Sequence, residues 1–401
     1  MKNLFLKFCL LACIALLAVA CSNSEKLAEN EFLIEGRISG VEDGAMIRLF
    51  RTDGNSGEFI AADTLQNERF RFKSEAISNP EKMLIICMDE GYPSQPFFVW
   101  VAPGARVKIT GKDKLLPAWE VKSSISYQKE ENRYTNKSRS VIKEQAKLAV
   151  EYSNLRTKAR AASSEEEALA YREKIDSLEV IENSLIIKQF FSDIDIMEKT
   201  DISPIWLDKM RAITMTLKFS DLDIESADNL REKAKKLYGR ISEEDKNTLI
   251  GHEITANLFP PSVAEIGDDM VDTDFFDING NTKHLSDYAG KYLLLDFWNR
   301  GCAPCIMALP EMKEVSETYS DKLTIISISL DSDAAWKEAM KTHDMPWVNI
   351  RDPKAMGGLA ADYGVSGIPN YIMISPEGKI IDKWMGYGTG LIKTKMSENI
   401  K

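Results

Sequence analysis

Residues 293–312 read LLLDFWNRGCAPCIMALPEM. The apolar run from Leu293 to Trp298 is long enough for one strand, and Asn299-Arg300-Gly301 turns the chain. The residues after Cys302 can continue as a helix to about Thr318. Cys302-Ala303-Pro304-Cys305 therefore puts two thiols where a strand hands over to a helix. Unpaired N–H groups at a helix N-terminus favour a thiolate, so a C-x-x-C at this junction reads as a redox motif.

Around this stretch, from Gly267 to Lys401, strands and helices alternate, which predicts an α/β sheet covered by helices. Asp274–Ile278, Leu293–Trp298, Lys322–Asp331 and Tyr371–Ser375 read as strands, and Lys379–Trp384 closes a hairpin with the last of these. Ala334–Thr342 and Ala355–Tyr363 read as helices. Pro260-Pro261-Ser262 marks a linker, residues 259–266, ahead of this domain.

Residues 121–258 change character: Glu, Lys, Ala, Leu and Ile dominate, and Pro204 is the only proline. Tyr171, Ile175, Leu178 and Leu185 fall at helical spacing, as do Met210, Ile213 and Leu217. Ser203-Pro204 is an N-cap followed by a proline at the first helical position, and Ser163-Ser164-Glu165-Glu166-Glu167 a capped start with a solvated acidic turn. From 32 to 120 the pattern is period two, broken by turn residues, which predicts a small antiparallel β-sandwich.

Residues 1–21 read as a lipoprotein signal: Lys2 and Lys7, an uncharged run from Phe8 to Ala20, then Cys21 as the lipidation site. Thirteen uncharged residues are too few to span a bilayer. Ordinary signal cleavage or an uncleaved anchor are the other readings. Residues 22–31 would be the tether, leaving the chain in the cell envelope, facing the periplasm, held to a membrane by its lipid. Removing residues 1–20 moves the net charge from −11 to −13, which makes nucleic acid a poor candidate partner, and none is expected.

Of six cysteines, Cys9 and Cys13 leave with the signal and Cys21 is acylated. Cys87 lies in the apolar run MLIICM and reads as a buried small hydrophobe. One C-x-x-C and no other pair, in an oxidising compartment, is a chemical tool and not a scaffold. His252-Glu253 lacks the second histidine of a zincin helix, Ala256 standing in its place, and neither His284 nor His343 has ligand spacing to a partner. No metal and no cofactor are expected.

Residues 267–401 resemble a thioredoxin-fold domain of the TlpA/ResA type, the membrane-anchored extracytoplasmic thiol–disulfide oxidoreductases. The matches are Asp296, Trp298, Pro310, Ile368-Pro369 in VSGIPNYIMIS, and the EGKII hairpin. The departures are Gly301 where a Trp is common, Ala308 where ResA-like members carry Glu, and Asn370 where Thr is frequent. The order of strands, helical region and thioredoxin domain also resembles envelope proteins with an N-terminal β module.

The resemblance implies that Cys302 is the nucleophile, Cys305 the resolving thiol, Asp296 a buried acid that takes the Cys305 proton, and Pro369 a cis-proline. It also places Trp298, Ala303, Pro304 and the Ile368 backbone at the substrate. The partners implied are exported disulfide-containing proteins and a membrane electron donor of the thiol-relay type. Reduction of disulfides is the first reading; a dimeric disulfide isomerase and an envelope scaffold with incidental redox activity are the rivals. A peroxiredoxin-type peroxidase would need Thr where Asn299 stands.

Overall fold

The computed structural model describes residues 26–53, 56–76, 79–220 and 222–400. The signal segment, the lipidation site Cys21 and the start of the tether lie outside the described residues. Among the described residues no helix is long and apolar enough to cross a membrane.

The first module is a sandwich because its strands alternate. Glu31–Ile38 (β1), Arg69–Glu75 (β4), Arg106–Gly111 (β7) and Glu120–Lys122 (β8) form one sheet in the order β4-β1-β7-β8. Met46–Asp53 (β2), Ser56–Thr64 (β3), Glu81–Cys87 (β5) and Phe97–Val101 (β6) form the other, in the order β3-β2-β5-β6. Their inward residues, Phe32, Ile34, Phe70 and Val107 against Ile47, Leu49, Ile85 and Val99, make one core. One pairing departs from the antiparallel expectation: β1 and β7 run parallel, Leu33 opposite Arg106 through Ile38 opposite Gly111. The intervening strands carry the chain through the other sheet and back in the same direction, a crossover that local alternation does not reveal.

The helical region starts with two long antiparallel helices, Ser126–Ala161 (α1) and Glu165–Met197 (α2). Ser164 caps α2 by accepting from the Glu167 N–H at 3.1 Å, and Ser203 caps Pro204–Phe219 (α3) by accepting from the Trp206 N–H at 3.0 Å. Ile224–Tyr238 (α4), the single turn Glu243–Lys246 (α5) and Leu249–Leu258 (α6) complete it. Trp206, Met210, Ile213, Leu230 and Ile254 are its fully buried centre. Tyr171, Ile175 and Leu178, on the outer part of the α1–α2 hairpin, are only half-buried.

The third unit is a seven-stranded sheet. Its strands are Phe275–Phe276 (β9), Thr282–Lys283 (β10), Tyr292–Trp298 (β11), Leu323–Ser329 (β12), Val348–Arg351 (β13), Asn370–Ile374 (β14) and Ile380–Met385 (β15). The order is β10-β9-β13-β12-β11-β14-β15, with β11 in its interior, parallel to β12 and antiparallel to β14. Ala303–Thr318 (α7), Asp333–Thr342 (α8), the single turn Leu359–Asp362 (α9) and Leu391–Asn399 (α10) cover it. This is a thioredoxin fold. The expected helix over 355–363 is broken into a 3-10 turn, Ala355–Gly357, and α9, since Gly357-Gly358 cannot hold a continuous turn.

Candidate active site

The period-two rule sorts β11 into two faces. Leu293, Leu295 and Phe297 enter the core shared with Tyr363 and Ile372. Leu294, Asp296 and Trp298 point the other way, toward the face where α7 lies: Leu294 packs with Ala308, Met312 and Val315 of α7, and Trp298 with Cys305. The strand thus puts one carboxyl group on the side of the sheet that carries the thiol pair.

The turn that follows is built from side chain to backbone. Asn299, buried, accepts the Gly301 N–H on Oδ1 at 3.0 Å, and its carbonyl accepts the Cys302 N–H at 3.2 Å. The Arg300 N–H donates to Asp331 Oδ2 at 2.8 Å. Cys302 then occupies the N-cap of α7, with Pro304 in the first turn, where its missing N–H costs nothing. The Cys305 N–H donates to Cys302 Sγ at 3.2 Å, so the sulfur already receives the hydrogen bond that would stabilise its thiolate.

The two sulfurs are bonded to each other, with Cα atoms 5.2 Å apart. Cys302 is half-exposed and Cys305 is 3% exposed, an asymmetry that leaves only the first sulfur open to attack by a bulky partner. Ala303 and Pro304 are exposed on the first turn of α7.

Asp296 is 2% exposed, and burial pushes its carboxyl up to about 7, against the pull of one hydrogen bond. That bond comes from Ser327, opposite Asp296 in the β11–β12 register, whose hydroxyl donates to Oδ2 at 2.7 Å. The Ser327 oxygen in turn receives the Trp347 indole N–H at 2.8 Å. Trp347 Nε1, Ser327 Oγ and Asp296 thus form a donor chain that fixes the hydroxyl's direction.

Trp298 is 1% exposed, packed with Cys305, Trp336 and Met345, and edge-on to the His343 ring at 6.4 Å. Cys302 and Ile368 flank this same cluster, so the Ile368 loop lies beside the thiol pair. The Ile368–Pro369 peptide is cis and Pro369 is buried, its carbonyl accepting the Gly386 N–H at 2.8 Å. Sequence reasoning missed Ser327, Trp347 and Glu311. The visible signal for Ser327 was a hydroxyl inside the apolar run LTIISIS. Glu311, 6% exposed, accepts the N–H groups of Gly390 and Lys393 and the Tyr387 hydroxyl at 2.8, 2.9 and 3.1 Å, and so caps α10 from α7. Cys87 is a free, buried thiol whose pKa burial raises to about 11, which makes it a poor nucleophile.

Comparison with known proteins falls on this same domain. The AhpC/TSA family matches residues 266–383. Thiol-disulfide oxidoreductase ResA of Bacillus thuringiensis subsp. konkukian is 31% identical over 139 residues, 34% of this chain and 78% of the relative. Thioredoxin-like protein YneN of Bacillus subtilis is 29% identical over 113 residues, 27% of this chain and 65% of its own. Among solved structures, the thioredoxin domain of a thiol-disulfide oxidoreductase from Bacteroides vulgatus is 29% identical. It covers 33% of this chain and 97% of that domain, with a TM-score of 0.31.

Proposed function

The chain belongs, through its carboxy-terminal third, to the ResA-type thiol–disulfide oxidoreductases, and from that premise we propose that it reduces disulfides of exported proteins through the Cys302/Cys305 dithiol. The observation that supports this most is the pairing of a half-exposed sulfur at a helix N-terminus with a buried acid that β11 puts on the same face of the sheet. In the reduced protein, the Cys302 thiolate attacks one sulfur of a client disulfide. An S–S bond forms between Cys302 and the client, and the client's other sulfur leaves as a thiolate.

Cys305 then attacks Cys302 Sγ, restoring the internal disulfide and releasing the second client thiol. Two electrons pass from dithiol to client, and an external dithiol donor must return them. The resolving step needs the proton of Cys305 removed where little water reaches. Asp296 takes it, because a carboxyl held up to about 7 is a far better base near neutrality than an exposed one. Ser327 and Trp347 hold that carboxyl in one orientation.

We place the protein outside the cytoplasm, tethered through Cys21, with exported disulfide proteins as clients and a membrane thiol relay as donor. Labelling cells with an alkyne-bearing fatty acid checks the tether: the label must disappear with Cys21→Ser. For the activity, the Cys305→Ser chain should accumulate mixed disulfides on Cys302, and the wild type should reduce insulin. A wild type inert toward insulin, with no trapped client, would sink the reading.

A further inference from the structure

The amino-terminal two-thirds is fixed to the catalytic domain by a continuous bracket. At one end, the helical region grips the β module: Trp100 stacks on Tyr127 at 4.9 Å, its backbone N–H donates to the buried Gln128 at 2.8 Å, and Lys82 pairs with Asp208 at 2.8 Å. At the other end, α6 lies directly on the turn Ala355–Gly357. A Cβ added at Gly357 would stand 2.4 Å from the His252 carbonyl, so only glycine permits this approach. The linker docks as well: the Ala264 N–H donates to the Asp362 carbonyl at 2.9 Å, and Lys383 donates to the Ala264 carbonyl at 2.8 Å.

The bracket brings β3 to the active site. Glu58 faces Arg300, Gly301, Ala303, Met307 and His343 across a cleft of about 860 Å³. Gly301 and Ala303 are the immediate neighbours of Cys302. The Glu58 carboxylate is held in place: Arg51 donates to it at 3.1 Å while also binding Glu81 at 2.6 Å and the Glu75 carbonyl at 3.2 Å. The floor is apolar, with Met307 66% exposed on α7. The opposite wall is an edge: β3 is the outermost strand of its sheet, and such edges take up extended chains through backbone hydrogen bonds.

We infer that the β module is the outer wall of the substrate cleft and that the occupant is an extended, disulfide-bearing polypeptide lying between β3 and α7. This rests on the oxidoreductase reading, since it is the reaction at Cys302 that brings the client there. A floor of methionine, a carboxylate rim and a strand edge suit a polypeptide's mixed apolar and amide surface. A small disulfide would use only the space next to Cys302 and never reach Glu58. The helical region, as the spacer between the two walls, then sets the width of the cleft.

The test uses the full chain carrying Cys305→Ser, with the photo-crosslinker p-benzoylphenylalanine in place of Glu58 or, as control, in place of exposed Glu120 on β8. The insulin B chain, activated as a thionitrobenzoate disulfide, is loaded onto Cys302 and the sample irradiated. Tethering raises the local concentration of the peptide, so crosslinks from position 58 should exceed those from 120 by about tenfold. A mixed disulfide that forms fully yet crosslinks no better from 58 than from 120 overturns the inference and leaves the oxidoreductase reading standing. Failure to form the mixed disulfide overturns that reading, and this one with it.

Discussion

Asp193 in the helical region and Asp296 in the thioredoxin domain are each 2% exposed, and burial raises both carboxyls to about 7. Asp193 on α2 is surrounded by charges on the packed helices: Lys209, which is bonded to Glu131 at 2.7 Å, and Lys137, which pairs with Asp195. Its proton affinity is a compromise between burial and the charges of an ionic cluster on the packed helices. Asp296 takes its hydrogen bond from the Ser327 hydroxyl and lies on the sheet face of Cys305, the thiol whose proton the proposed cycle moves. A raised pKa is thus a property of burial. It becomes function only beside a partner whose own charge moves.

The largest expected effect separates the two kinds of cysteine. Cys302→Ser should lower insulin reduction about 10³-fold or more, since a hydroxyl is no thiol nucleophile, whereas Cys87→Ser should stay within about twofold. Turbidity assays of insulin on the two purified variants decide it.

Next comes the aspartate pair itself. Asp296→Asn should slow turnover about 10²-fold at neutral pH and flatten the acid limb of the pH profile, while Asp193→Asn leaves the rate unchanged. Stability should treat the two alike. Each folded-state pKa lies above the unfolded value, so the folded chain holds the proton more tightly. The stabilisation is complete below about pH 4 and is lost as pH rises through about 7. A rise from 3.8 to about 7 corresponds to on the order of 4 kcal/mol, at about 1.4 kcal/mol per pH unit. Urea midpoints at pH 5 and pH 8 should therefore converge in both asparagine variants. If Asp193→Asn also slows catalysis, the distinction between the two sites collapses.

Ser327→Ala sharpens the comparison. It removes the hydrogen bond that favours the Asp296 carboxylate, so the pH dependence of the resolving step should move to higher pH. One hydrogen bond of about 1 kcal/mol is worth about fivefold in the acid constant, so the rate at pH 7 should fall about threefold. Stopped-flow decay of the mixed disulfide reads this step directly. The smallest change in activity belongs to Glu311→Gln: it should cost about 1–3 kcal/mol of stability through the α10 cap and leave turnover within about twofold. Urea unfolding and the insulin assay together separate the two effects.

The apolar run from Leu293 to Trp298, the turn and the helix to Thr318 were legible because each rests on neighbours a few residues apart. The same holds for Ser164 and Ser203 as caps. What escaped depends on residues brought together by the sheet. Ser327 matters because β11 and β12 align it with Asp296, and Glu311 because α10 returns to α7. Val348–Arg351 is too short to show a period, and α10 buries only Ile392 and Met396, too few to announce a helix. The parallel β1–β7 pair is invisible for the same reason: pairing direction belongs to the path between strands.

The bridge between Cys302 and Cys305 joins residues only three apart in sequence. Closing so short a loop removes little freedom from an unfolded chain: about 2 kcal/mol by the entropy argument, against about 4.7 for a loop of about 100 residues. Opening and closing it therefore changes the stability of the fold by far less than a long-range bridge would. The oxidised form should melt only some degrees above the reduced one, so both stay folded and the proposed cycle can turn over repeatedly without making the protein a target for degradation in either state.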